Sequence, residues 1–239
     1  MKEFAVIISL VLIFSFCVFL GVEKTKNNIL SVVAEERVAE TDFIVVLDAG
    51  HGGEDSGAVA VDGTLEKDLN LAVAECVSSY FDIFGIEYVM IRSEDISVGD
   101  TSLETIRQRK VSDIKKRYEI INSYDNSVLL SIHQNNFPVE KYSGTQVFYA
   151  PSDEESEVLA GLIQSKVVNA LQPGNHRKVK ASDDSIYLLY NAKRPSVLVE
   201  CGFLSNEEEL VKLKEAEYQS QISYFISSSV LNYINNYKE

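Results

Sequence analysis

Cysteine is scarce in this chain. Its 239 residues hold three, Cys17, Cys76 and Cys201. There is no CxxC spacing, so a disulfide framework or a cysteine-based metal knuckle is excluded, and Cys76 and Cys201, each in an apolar stretch, read as small buried hydrophobes. Histidine is equally rare, at His51, His133 and His176. Positive charge is under-represented: 22 Lys and Arg face 36 Asp and Glu, a net charge of −14 at pH 7. Such a surface repels phosphate, which argues against nucleic acid and anionic lipid surfaces as partners. It also argues against holding an anionic polymer by charge alone. Internal repeats and low-complexity tracts are absent. What is present suits one cored domain, or one domain with an appendage: 46% of the residues are hydrophobic.

The appendage is N-terminal. Residues 4–22 carry no charge over 19 positions, and as a helix such a run spans the ~30 Å hydrocarbon core of a bilayer. It exceeds the apolar region of an ordinary cleaved signal. Residues 1–23 are therefore expected to be an N-terminal transmembrane or signal helix, an uncleaved anchor in preference to a cleaved signal peptide. Residues 24–41 read as a polar linker, and residues 42–239 as the working domain.

Within that domain strand-like and helix-like segments alternate. "FIVVLD" (43–48) is a continuous apolar run, as in a strand buried on both faces. Residues 66–84 place Leu69, Val73, Cys76, Tyr80 and Phe84 on one helical face. Strands are expected at 86–91, 127–133, 145–150 and 196–201, with a short one at 185–190. Thr101 and Glu104 resemble a capping box opening a helix through about residue 123. Residues 153–171 form a helix with acids in its first turn. Ser205 and Glu208 cap a terminal helical region whose apolar face holds Ile222, Phe225, Ile226, Val230 and Ile234. The alternation implies an α/β fold: a mostly parallel sheet with helices on both faces.

Polar residues gather where buried strands stop. "FIVVLD" runs into Asp48 and His51, "SVLLSIH" ends at His133, and "SVLVE" ends at Glu200. In open α/β sheets, sites form outside the carboxyl ends of strands, so these residues should converge. Glu66 follows a glycine-rich loop and opens a helix that can lie over the same edge. Two imidazoles and two carboxylates are the inventory of a catalytic zinc site, two histidines and one carboxylate holding the ion and the other carboxylate serving as general base. Each piece has a plainer alternative. His51 can cap a turn, Glu66 can be a helix N-terminal acid, and His133 can be a satisfied edge histidine. Glu200 is harder to dismiss, because a carboxylate at the end of a core strand is costly without a partner. The glycines do not follow G-x-G-x-x-G, and Glu54 and Asp55 would repel phosphate. His176 sits in a polar loop and reads as surface or substrate-side.

The segments "VVLDAGHGGEDSGAV", "LEKDLNL", "LLSIHQNN", "GTQVFY" and "RPSVLVECGFLSNEEE" occur in one order between about residues 43 and 236. In motif and order the chain resembles the zinc-dependent N-acetylmuramoyl-L-alanine amidases, the amidase-3 family of cell-wall hydrolases. The resemblance implies a six-stranded sheet flanked by helices and a Zn2+ cofactor. It implies His51, Glu66 and His133 as metal ligands and Glu200 as the catalytic glutamate. The implied substrate is peptidoglycan, cut between muramic acid and the L-alanine of the stem peptide. The anchored N-terminus, the short chain and "SIHQNNF" look most like the spore-cortex (CwlD) type. That implies action outside the cytoplasm, membrane-anchored or secreted, in the space between forespore and mother cell of a spore former, ahead of muramic δ-lactam formation. The family more often has a small residue after the metal histidine; Gln134, Asn136 and Phe137 depart from this. A regulatory or activating protein partner is a further expectation, since related amidases are often switched on by partners.

Asp48 and Asn135 are candidates to orient the ligands, Asp48 equally a turn acid. Arg92, Arg117 and Arg194 are candidate cations for the stem peptide's carboxylates, or structural ion pairs. Two rival readings stand beside the amidase: a zinc carboxypeptidase or other wall peptidase, for which "HGGE" formally offers a His51–Glu54 ligand pair, and a non-catalytic wall-associated scaffold.

Overall fold

The computed structural model describes residues 42–237, so the expected anchor and linker, residues 1–41, lie outside the described residues. Among the described residues no helix is long and apolar enough to cross a membrane. The elements are β1 (Ile44–Ala49), α1 (Glu66–Phe84), β2 (Tyr88–Met90), α2 (Ile106–Ile121), β3 (Ser127–Asn135), β4 (Gln146–Tyr149), α3 (Glu154–Leu171), β5 (Lys180–Ala181), α4 (Tyr187–Tyr190), β6 (Ser196–Phe203), α5 (Glu207–Lys214) and α6 (Ala216–Tyr237). The six strands form one sheet in the order β2-β1-β3-β6-β4-β5. All neighbours run parallel except β4 against β6. The mostly parallel sheet is as expected, with one antiparallel joint.

Both faces are covered because strand residues alternate sides. Val45, Leu47, Val128, Leu130, Val197 and Val199 pack with the apolar stripes of α1, α3 and α6. Val46, Leu129 and Leu198 face the other way, toward Ile121 of α2 and Leu189 of α4. The second face is the one that matters. Two residues further along each strand, the same alternation puts Asp48, Ser131 and Glu200 on the α2 side, followed by His133.

Three local expectations need correction. Residues 185–190 are not a strand: Tyr187–Tyr190 is a single helical turn, with Leu189 buried and Tyr190 exposed. The apolar run was too short for its period to separate strand from helix. The sheet's far strand is instead the exposed pair Lys180–Ala181, which has no apolar signal. The capping box of α2 is formed by Thr105 and Gln108, not Thr101 and Glu104: Gln108 N–H donates to Thr105 Oγ1 at 3.2 Å, and Thr105 N–H to Gln108 Oε1 at 3.0 Å. The cap of α5 lies one residue later than expected, with Glu209 N–H donating to Asn206 Oδ1 at 3.0 Å.

Candidate metal centre

The chain leaves β1 through Gly50 and His51. Main-chain groups at this exit are gripped by buried arginines. Arg92 donates from Nε to Ala49 O at 2.8 Å and from Nη2 to Gly50 O at 3.0 Å. Arg117 donates from Nη2 to His51 O at 2.6 Å and ion-pairs with Asp48 and Asp113. His51 is held at φ 61°, where a non-glycine residue is strained. Two short reversals then fold the loop back. Gly52 and Asp55 exchange main-chain hydrogen bonds, bringing Asp55 Oδ2 to 2.9 Å from His51 Nδ1. Val59 bridges Leu65, which returns the chain to the start of α1 and sets Glu66 beneath the loop.

Glu66 is the hub. Its Oε1 lies 3.0 Å from His133 Nδ1 and 3.2 Å from His51 Nε2. Asn70 Nδ2 and the Gln134 N–H donate to the same oxygen at 3.3 Å, and Ala58 N–H donates to Oε2 at 2.9 Å. An imidazole nitrogen from each of His51 and His133 and a Glu66 carboxylate oxygen, atoms that could hold a metal ion, all lie within 4.8 Å of one another. Two glycines make the approach possible. A Cβ on Gly50 would stand 2.2 Å from the His133 ring, and one on Gly57, itself at φ 65°, would stand 2.5 Å from Glu66 Oε2.

The electrostatics follow from this packing. Burial favours a neutral His51, but its hydrogen bonds to Asp55 and Glu66 outweigh that and raise its pKa to about 9. Burial would raise the Glu66 carboxyl; hydrogen bonding and charge from His133 and His51 instead hold it well below the usual carboxylate range. Glu200 is the opposite case. It is the register partner of His133 on the adjoining strand, its Oε2 is buried without a hydrogen-bond partner, and burial pushes its carboxyl up to about 7. His51, Asp55, His133 and Glu200 line one cavity of about 280 Å³, with Ile114 and Tyr187 among its other walls.

The structure thus brings His51, Glu66 and His133 together and sets Glu200 beside them. Two imidazole nitrogens and one carboxylate oxygen, converging with the His51 ring held from behind by Asp55, suit a borderline divalent cation. The unpartnered Glu200 oxygen matches a group awaiting a proton. Other candidates fall elsewhere. Glu54 pairs with Arg109, outside the cluster, so the HGGE ligand pair is not formed. Asp48 accepts from Ser131 Oγ at 2.7 Å and from Arg117, which supports the loop but touches neither imidazole ring directly. Asn135 contributes its carbonyl, to Leu204 N–H at 2.8 Å. Arg194 pairs with Asp125 at 2.7 Å. With Arg92 and Arg117 fully engaged, all three candidate arginines are structural. His176 is exposed. Sequence reasoning missed Asp55 as the partner of His51 and Asn70 as the partner of Glu66. The signals were thin: an acid four residues past His51 and an amide one helical turn past Glu66.

The family model described as N-acetylmuramoyl-L-alanine amidase, Amidase_3, matches residues 45–232. The chain belongs to this amidase family. A germination-specific N-acetylmuramoyl-L-alanine amidase of Bacillus subtilis is 36% identical to this amidase over 190 residues, covering 80% of this chain and 79% of that protein. The CwlD amidase of Clostridioides difficile, solved in complex with the GerS lipoprotein, superposes with a TM-score of 0.77 at 38% identity, covering 80% of this chain and 98% of that one. The amidase LytC of Bacillus subtilis is 31% identical over 198 residues, covering 82% of this chain but 36% of its own length. Like its family, the amidase hydrolyses the amide bond between N-acetylmuramic acid and L-alanine.

Proposed function

We propose that this amidase is zinc-dependent and removes stem peptides from muramic acid in spore-cortex peptidoglycan, outside the cytoplasmic membrane. His51, Glu66 and His133 hold the metal, and Glu200 is the general base. The observation that carries this reading is the convergence of three ligand atoms within 4.8 Å at the strand ends, next to a carboxylate whose Oε2 has no partner. The B. subtilis relative named as germination-specific and the superposed C. difficile amidase support the cortex as the substrate.

The chemistry a zinc ion supplies when bound is polarisation of the scissile carbonyl and a lowered pKa for water. The residues of the chain do the rest. Asp55 accepts from His51 Nδ1, leaving Nε2 directed at the cluster. Asn70 and the Gln134 N–H fix the rotamer of Glu66. Glu200, on the strand next to His133, takes a proton from the attacking water on Oε2 and delivers it to the departing alanine nitrogen. A carboxyl shifted to about 7 by burial is suited to both tasks near neutral pH.

Digestion of purified peptidoglycan with and without added zinc, read by mass spectrometry, tests the reading. Muramic acid freed of its whole peptide is the expected product. Shortened peptides still attached to muramic acid would identify a peptidase instead. Full metal occupancy in His133→Ala, by elemental analysis, would refute the ligand set.

Membrane attachment through residues 1–23 belongs to the same proposal, as does an activating protein partner. The lipoprotein complex of the C. difficile relative supports such a partner. Higher muropeptide cleavage in cell extract than by the pure protein is the expected sign of one, and equal rates would count against it.

A further inference from the structure

Sheet register continues the site beyond Glu200. Glu200 is paired on its other side with Gln146 of β4. His133, Glu200 and Gln146 therefore form a row across three neighbouring strands, on one face. Gln146 is tied to a cation: its Oε1 accepts from Arg177 Nη1 at 3.1 Å, and its Nε2 donates to Lys178 O at 3.0 Å.

The hydrogen bonds donated by the Arg177 side chain all go to neutral acceptors. Nε donates to Ser143 O at 2.8 Å, and the guanidinium lies 4.5 Å from the Phe203 ring centroid and 5.8 Å from that of Tyr142. Arg109, Arg117 and Arg194 each pair with a carboxylate. Among the described residues none lies within ion-pair distance of Arg177; buried Arg92 shares this, but its donors are taken by four main-chain carbonyls, and exposed Arg107 lies on α2, away from the row. Glu209 lines the same polar cleft, of about 570 Å³, close enough for the Arg177 charge to act on its carboxyl, but its two oxygens accept from the main-chain N–H groups of Gly144 and Phe203, at 2.8 Å each. Lys178 and Lys180 add exposed cations next to it. A half-buried guanidinium without a direct ion pair, oriented by neutral acceptors and stacked on rings, in a chain of net charge −14, is built to receive an anion.

We propose that Arg177 is a specificity-determining residue that binds the α-carboxylate of the acidic residue following L-alanine in the stem peptide. The inference rests on the reading of Glu200 as the base at the scissile amide. Gln146 stands one strand step, about 4.8 Å, from Glu200, its side chain carries the row on to Arg177 in the neighbouring cleft, and two extended peptide residues lead the substrate about 7 Å in that direction. Arg177 therefore replaces Arg92, Arg117 and Arg194 as the cation that meets the substrate.

The test uses the full, zinc-supplemented chain and two muropeptides that differ only in the second stem residue, with a free α-carboxylate or the corresponding carboxamide. The wild type is expected to cut the carboxylate form with a kcat/KM about tenfold higher, mainly through KM. Arg177→Ala should lower kcat/KM for the carboxylate form by a similar factor and leave the carboxamide form unchanged, and Arg177→Lys should recover part of the loss. Equal wild-type rates on both substrates, or an equal loss on both in Arg177→Ala, would overturn the assignment. The wild-type comparison decides it even if Arg177→Ala fails to fold. Cleavage of neither substrate by the wild type, alone or supplemented with cell extract, would instead overturn the amidase reading, and this inference with it.

Discussion

His133 on β3 and Glu200 on β6 are register partners on adjacent parallel strands, so the two side chains emerge together on the α2 face of the sheet. One binds and the other reacts in the proposed mechanism, and this separation can be tested. Glu200→Ala should keep its zinc and lose about 10²–10⁴-fold in kcat on muropeptides. Near wild-type turnover in a zinc-loaded Glu200→Ala protein would remove Glu200 from the mechanism.

Metal binding should be strongly pH-dependent. With its pKa raised to about 9, His51 carries a proton at neutral pH in the metal-free protein, and a metal must displace it. Zinc affinity is therefore expected to rise about tenfold per pH unit up to about pH 9, then level off. The same shift has the opposite sign for the metal-free fold. The stability from the His51 pairings is fully present below the ordinary histidine pKa of about 6.5 and is lost as pH rises through 9. Isothermal titration across this range would show the slope; a flat profile would mean that His51 is neutral or not a ligand.

Asp55 Oδ2 meets the back of the His51 ring, at 2.9 Å, while its Oδ1 pairs with Lys110 and accepts from the Gly57 N–H. Asp55→Ala should weaken zinc binding by about 10–100-fold while leaving kcat at saturating zinc close to wild type. Chelator competition measures the first quantity. An unchanged zinc affinity would show that the Asp55 contact does not orient the ring.

Arg117 is 3% exposed and ion-pairs with Asp48, itself 1% exposed. Arg117→Met leaves a buried carboxylate unpaired and should destabilise the fold by about 3–5 kcal/mol. Adding Asp48→Asn should recover part of the loss. Burial alone would raise the Asp48 carboxyl, but the charges of Arg117 and His133 and the hydrogen bonds from Ser131 and Arg117 together outweigh it and hold the group below the ordinary range. The pair's contribution is thus present above about pH 4 and lost as pH falls through the depressed folded value. Urea melts at neutral and acid pH give both numbers. A change within 0.5 kcal/mol, roughly the range of an ordinary surface substitution, would refute the clamp.

The sequence by itself determined a great deal here. The apolar runs ending at Asp48, His133 and Glu200 specified buried parallel strands with chemistry at their carboxyl ends, because such strands must be apolar until they leave the core. The family resemblance carried by the motifs around His51 and Glu66 pointed to the proposed metal ligands. Tertiary structure alone decided the partners. Asp55 reaches His51 through a loop reversal, Asn70 reaches Glu66 one helical turn on, and Arg117 crosses from α2 to the His51 carbonyl over 66 residues of chain. It also decided that Arg177, 31 residues from Gln146, meets it beside the row that holds Glu200. The physical reason is that apolar periodicity is a local property and survives in the sequence. A polar pair is made by register and crossover geometry, which bring together residues with no pattern to mark them.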